Sequence, residues 1–237
     1  MSLSLEKLRF KLNRTTMKGA WWKITAILLL AYTLIGGLLM DVPRLDILNE
    51  TIRNLYFHVP MWFGMIIVLF ASMIYSIKYL RNHKLEDDLW ASELANAGIL
   101  FGILGIVTGM IWAKFTWGSA WSGDPKQNGA AGGLMFYFAY IILRGSFKDE
   151  EQRARISAIF NIFAFAVFIP LIFVLPRLTD SLHPGNGGNP GFNAYDLDSK
   201  LRLIFYPAII GWTLIGVWFA QIRVRMRKIE NQILENE

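Results

Sequence analysis

Six apolar runs, each close to the length a bilayer demands, constrain this chain more than any other feature. A helix needs about 20 predominantly apolar residues to cross a hydrocarbon core about 30 Å thick. Runs of that kind fall at about 21–40, 59–80, 94–113, 129–143, 156–175 and 203–220. Inside a bilayer the backbone must satisfy its own hydrogen bonds, so the runs predict an all-α polytopic membrane protein. The expected architecture is a six-transmembrane-helix bundle with short loops, residues 1–237 forming a single integral membrane domain. With 54% hydrophobic residues the chain fits neither a soluble globule nor a disordered segment. The fourth run is the shortest and opens with Gly129, Ala130, Ala131, Gly132 and Gly133. Small residues there suit either the close approach of a neighbouring helix or ligand, or a flexible start to a short helix.

The basic segment before Trp21 resembles a signal, but the apolar run is long and no A-x-A site closes it, which reads as a retained signal anchor. If the N-terminus is cytoplasmic, seventeen Lys and Arg residues lie inside and seven outside. The positive-inside rule then places both termini in the cytoplasm. Residues 41–58, 114–128 and 176–202 become outward loops. The net charge of +6 is spread over the inner loops rather than gathered in one patch, so nucleic acid is not implied.

The outward loop 114–128 carries T-W-G-S-A-W-S-G-D-P-K-Q-N over residues 116–128. Were it helical, Trp117, Trp121 and Asp124 would share one face, two indoles forming a shelf with a carboxylate at its edge. Such a shelf suits a large planar ligand, and an interfacial aromatic belt is the equal alternative. Trp21, Trp22, Trp62, Trp90 and Trp112, each near a span end, read as belt residues.

There is no cysteine, which excludes disulfides, iron–sulfur clusters and covalent haem attachment through C-x-x-C-H. Of three histidines, His83 lies in the cytoplasmic loop R-N-H-K-L-E-D-D and reads as a solvated surface residue. His58, in N-L-Y-F-H-V-P, and His183, in S-L-H-P, reach the outer interface from different loops. Pro60 suits a first helical turn just after His58. Each histidine alone reads as a polar cap, but the pair can supply both axial positions of a haem iron. Zinc would want more ligands than these. Arg53 and Lys126 are the nearest outward bases for haem propionates, with Arg177 in reserve, and an ordinary anchoring role at the rim is the alternative.

No G-x-x-x-x-G-K-[ST] and no G-x-S-x-G occurs, so neither ATP hydrolysis nor a serine hydrolase is expected of this chain. Ionisable residues are scarce within the runs, which argues against a proton relay or ion-coupled transport. Asp87 and Asp88, beside Glu86, read as a solvated acidic turn, with partner docking the second reading.

These residues resemble the haem-handling membrane proteins of cytochrome c biogenesis, whose outward loop has the form W-G-x-x-W-x-W-D-P. Trp117, Gly118, Trp121, Asp124, Pro125 and Lys126 stand in register with it, but Gly123 occupies the place of the third tryptophan. The six spans, R-N-L-Y-F-H-V-P and S-L-H-P are most similar to the haem exporter protein C (CcmC) family. The resemblance implies that His58 and His183 are axial ligands of a non-covalent haem b, and that the loop contacts the exposed haem edge. It further implies a bacterial inner-membrane location. The partners it implies are the ATPase and permease subunits of an ABC transporter, a small membrane subunit and a membrane-anchored periplasmic haem chaperone, with no enzyme activity in this subunit. Two rival readings are a ligase-type relative that attaches haem to apocytochrome c and a membrane cytochrome b subunit. Both would want histidines inside the spans, where this chain has none.

Overall fold

The computed structural model describes residues 19–43, 48–183 and 197–234. The basic segment before residue 19, Arg44 and most of the loop after His183 lie outside the described residues. The chain runs through α1 (Trp21–Leu39), a 3₁₀-helix (Asn49–Tyr56), α2 (His58–Asn82) and α3 (Leu85–Trp117). It continues through α4 (Pro125–Gly145), α5 (Glu150–Ile169) and α6 (Ser199–Leu234). Beyond α5 a π-helical turn at Pro170–Val174 and a 3₁₀ turn at Leu175–Arg177 extend the same rod. Among the described residues there is no strand. Five helical rods are long and apolar enough to cross a membrane, and α4, with its glycine-rich start, is the sixth long helix. The protein is a multi-pass, all-α membrane protein.

Two helices far exceed the apolar runs that seeded them. At about 1.5 Å per residue, the 33 residues of α3 and the 36 of α6 reach about 50 Å and 54 Å, well past a hydrocarbon core of about 30 Å. Their charged ends are therefore helical, and they meet. Asp88 is buried and accepts two hydrogen bonds from Arg144 of α4, at 2.7 and 2.6 Å. Glu93, also buried, pairs with Arg223 and, at 3.6 Å, with Arg227 of α6. The expectation of a solvated acidic turn thus fails at Asp88, because α3 begins at Leu85 and carries that carboxylate onto its packed face. Leaving one member of such a pair unmatched costs about 3–5 kcal/mol.

The centre of the bundle is α2, packed against α3, α5 and α6, while α1 lies on α6 and α4 on α5. Contact between α2 and α3 is close because α3 presents Gly98, Gly102, Gly105 and Gly109, spaced four, three and four residues apart on one face. Against them lie Leu69, Met65, Trp62 and His58 of α2 in the reverse order. Each large side chain rests on helix backbone where any Cβ would intrude. The glycines opening α4 also serve close approach: Gly129 abuts the Leu171 carbonyl and Gly133 the ring of Phe168. A flexible start is not their role. This packing brings the first residue of α2, the last turn of α3, the start of α4 and the segment after α5 to one end of the bundle.

Candidate functional site

His58 opens α2, with Pro60 in the first turn, where a missing N–H costs nothing. Its Nδ1 lies 3.0 Å from Thr108 Oγ1. The Thr108 hydroxyl hydrogen is committed to the Leu104 carbonyl at 2.8 Å, so its oxygen accepts from His58 Nδ1–H. That hydrogen bond assigns the tautomer and leaves the lone pair on Nε2. The ring is buried, edge-on to Trp62 and tilted toward Trp112, with centroids 6.3 Å away in both cases.

Asp124 organises the second histidine. It caps the N-terminus of α4, accepting from Lys126 N–H at 2.8 Å, and Pro125 takes the first helical position. The same carboxylate receives Leu182 N–H at 2.7 Å, Ser181 Oγ–H at 2.9 Å and His183 Nδ1–H at 2.8 Å. Burial opposes its charge, but the hydrogen bond from His183, with the two backbone donors, holds the carboxyl well below its usual range. An ionised Asp124 is an acceptor only, so His183 Nδ1 carries the proton and Nε2 keeps its lone pair. Both histidines are thus anchored through Nδ1.

A row of aromatic rings joins them. From His58 it passes to Trp112, then to Trp117 at 6.1 Å and to the His183 ring at 4.7 Å, edge to face. Here Trp62 and Trp112 depart from the belt reading: the first rests on Gly105, and the second sits between His58 and Trp117. The shared helical face of Trp117, Trp121 and Asp124 is not formed. Helix α3 ends at Trp117 because Gly118 turns left-handed, φ +80°, and residues 118–124 fold as a loop. Gln127 holds that loop through Ser122 and the Ala120 carbonyl, leaving Trp121 exposed and Asp124 directed inward. Gly123 is also left-handed, φ +75°. A glycine suits that backbone in the place where the resembled motif has tryptophan.

A cleft of about 290 Å³ adjoins His58, lined by Arg53, Asn54, Phe57, Thr108, Trp112 and Phe115 among others. Two buried donors on its wall, Asn54 Nδ2 and Trp112 Nε1, have no protein partner. Arg53 bridges from the 3₁₀-helix to the Gly37 and Met40 carbonyls through Nη1, and to Glu50 through Nε, while Nη2 makes none of these bonds. It staples the end of α1, a role its position in the sequence did not announce. Lys126 stands half-buried in the first turn of α4, and Arg177 lies exposed on the 3₁₀ turn after α5. Such a donor set fits a planar metal macrocycle, with two imidazole lone pairs for iron and indoles beside them. Thr108 and Gly109 were not picked out from sequence, and Trp112 was read only as a belt residue, although the glycine spacing on α3 marks the face that receives His58.

Fold and site together define a polytopic membrane protein that keeps a pair of anchored imidazoles at one rim. Within that class, residues 6–237 match the family model described as heme exporter protein C, and the chain belongs to that family. Similar relatives include Heme exporter protein C of Haemophilus influenzae, 23% identical over 77% of this chain and 73% of the relative. A putative cytochrome c biosynthesis ccmC-like mitochondrial protein of Marchantia polymorpha is 28% identical over 57% of this chain and 56% of its own length. Cytochrome c biogenesis protein CcsA of Pelargonium hortorum is 37% identical over 39% of this chain. The chain spans only 29% of that relative's length.

Proposed function

We propose that this chain holds non-covalent haem b at the outer face of a bacterial inner membrane and presents it for cytochrome c biogenesis. The observation that carries the reading is the matched anchoring of His58 on Thr108 and His183 on Asp124, each leaving Nε2 for iron. Family membership and the names of the relatives support the same process. Arg53, with Asn54 and Trp112 beside it, would receive the propionates. Lys126 stands next to the Asp124 cap as a second base. Trp117 would pack against the macrocycle, and Gly118, Trp121 and Pro125 shape the loop that leaves one haem edge reachable. The reading includes handover to a membrane-anchored periplasmic haem chaperone, alongside ABC transporter ATPase and permease subunits. It assigns no catalysis to this chain, since the lack of a phosphate-binding loop leaves the energy for release to a partner.

The test is the visible spectrum and haem content of the detergent-purified protein beside His58→Ala, His183→Ala and His83→Ala. Loss of haem in the first two, with His83→Ala unchanged, is expected, and a His183→Ala protein with unaltered haem would remove its axial role. Complex formation with the chaperone is read on the same samples. The outward placement is checked by a cysteine at Ser122, expected to react with an impermeant thiol reagent on intact cells.

A further inference from the structure

At the opposite end of the bundle the structure contains a second set of groups that the haem reading does not use. Helix α1 begins with Trp21, Trp22 and Lys23, and α6 runs alongside it. Lys23 Nζ sits 5.5 Å from the ring centroid of Trp22 and 5.3 Å from that of Trp218. The two indoles meet edge to face at 6.4 Å. Arg225 of α6 lies near enough for its charge to act on Lys23. Arg225 follows Trp218 by seven residues and so lies on the same face of α6, two turns further toward that end.

Over the last third of α6 the neighbouring cations are treated differently. Arg223 and Arg227 pair with Glu93, Arg227 also with Glu230, and Lys228 with Glu86. Among the described residues no carboxylate pairs with Lys23 or Arg225. Like charges held side by side repel, and one anion between them turns the repulsion into two attractions. The surrounding surface says which anion. Trp21, Ile24, Ile222 and Met226 are exposed and apolar beside the pair, a surface for acyl chains. Indoles gather at headgroup depth, and their faces hold an ammonium in place. A phosphate that arrives with an apolar tail fits this setting; a free phosphate satisfies only the charges.

We infer that the inner ends of α1 and α6 form a headgroup site for an anionic phospholipid, with Lys23 and Arg225 as phosphate ligands and Trp22 and Trp218 as its walls. The site anchors α1, which packs mainly on α6, at the surface where basic segments meet anionic lipid. It is independent of haem ligation.

The experiment is native mass spectrometry of the full-length protein in neutral detergent with phosphatidylglycerol, phosphatidylcholine or inorganic phosphate added separately. Phosphatidylglycerol is expected to bind in preference to phosphatidylcholine, with no retention of inorganic phosphate. Lys23→Gln and Arg225→Gln should each lower that preference by about fivefold and the double variant should abolish it. Lys78→Gln, at the same end but against Tyr75, should leave it unchanged. Lys23→Arg with Arg225→Lys preserves both charges and should keep the preference, which separates charge from folding. Undiminished phosphatidylglycerol preference in the double glutamine variant would overturn the site. Equal retention of inorganic phosphate, or equal loss in Lys78→Gln, would overturn its assignment to lipid at this place.

Discussion

Gly109→Ala is the most economical way to ask whether the backbone of α3 sets the position of His58. A Cβ at residue 109 would stand 2.7 Å from His58 Cε1, 3.4 Å from Nε2 and 3.5 Å from Nδ1. Carbon atoms in contact prefer about 3.5–4.0 Å, so the ring must retreat by about 1 Å. It has little room, since Trp62 and Trp112 flank it and Thr108 holds Nδ1 at 3.0 Å. Overpacking of this kind costs about 1–3 kcal/mol, and alanine returns about 1 kcal/mol as the better helix former. The net loss of fold stability is then about 2 kcal/mol at most. Haem affinity should suffer more, because disturbing the partner that orients a metal-bound histidine typically costs about 10- to 100-fold. The assay is haem titration followed by absorbance, with thermal unfolding in parallel. Gly132→Ala is the control, since its Cβ would meet only Leu171 Cδ1 at 3.9 Å. Gly109→Ala with the haem affinity and spectrum of the parent would refute the argument that this contact places the imidazole.

Three further substitutions probe the site and its frame. Asp124→Asn cannot accept from four donors at once, so His183 should lose its orientation and haem retention should fall by about tenfold or more, read from haem content after purification. Parental haem content in that variant would mean that His183 is held by other contacts. Arg144→Leu leaves Asp88 buried and unpaired and should lower stability by about 3–5 kcal/mol, whereas Arg144→Leu combined with Asp88→Leu should recover most of the loss; thermal unfolding in detergent decides. Gly123→Trp restores the residue usual in the resembled motif but places it at φ +75°. The space is open, so the expected cost of about 1–2 kcal/mol is backbone strain alone, and an unchanged unfolding midpoint would show that the loop adopts another turn.

Much of this protein is legible in one dimension because a bilayer imposes a single requirement on every span. The apolar runs alone therefore predicted the helices, α1 to within a residue at its far end, and the short fourth run at about 129–143, which the structure extends to Pro125–Gly145. The same holds for the placing of Pro60, since the fixed φ and missing N–H of proline suit a first helical turn. The functional site was only half legible. His58, His183 and Trp117 could be singled out by residue type, in loops that the count of basic residues assigns to a common side.

What tertiary structure alone decided is who holds whom. No local pattern says that Asp124 will turn inward and take His183, because the two are 59 positions apart and meet only when the start of α4 and the segment after α5 converge. Thr108 becomes the partner of His58 only because glycines let α2 lie against α3. Asp88 reads as one of three acids in a row until packing buries it against Arg144. The sequence determines which segments are helical, since that depends on solvent. Side-chain partners depend on the register between helices, which is a sum of many small packing terms that no single segment carries.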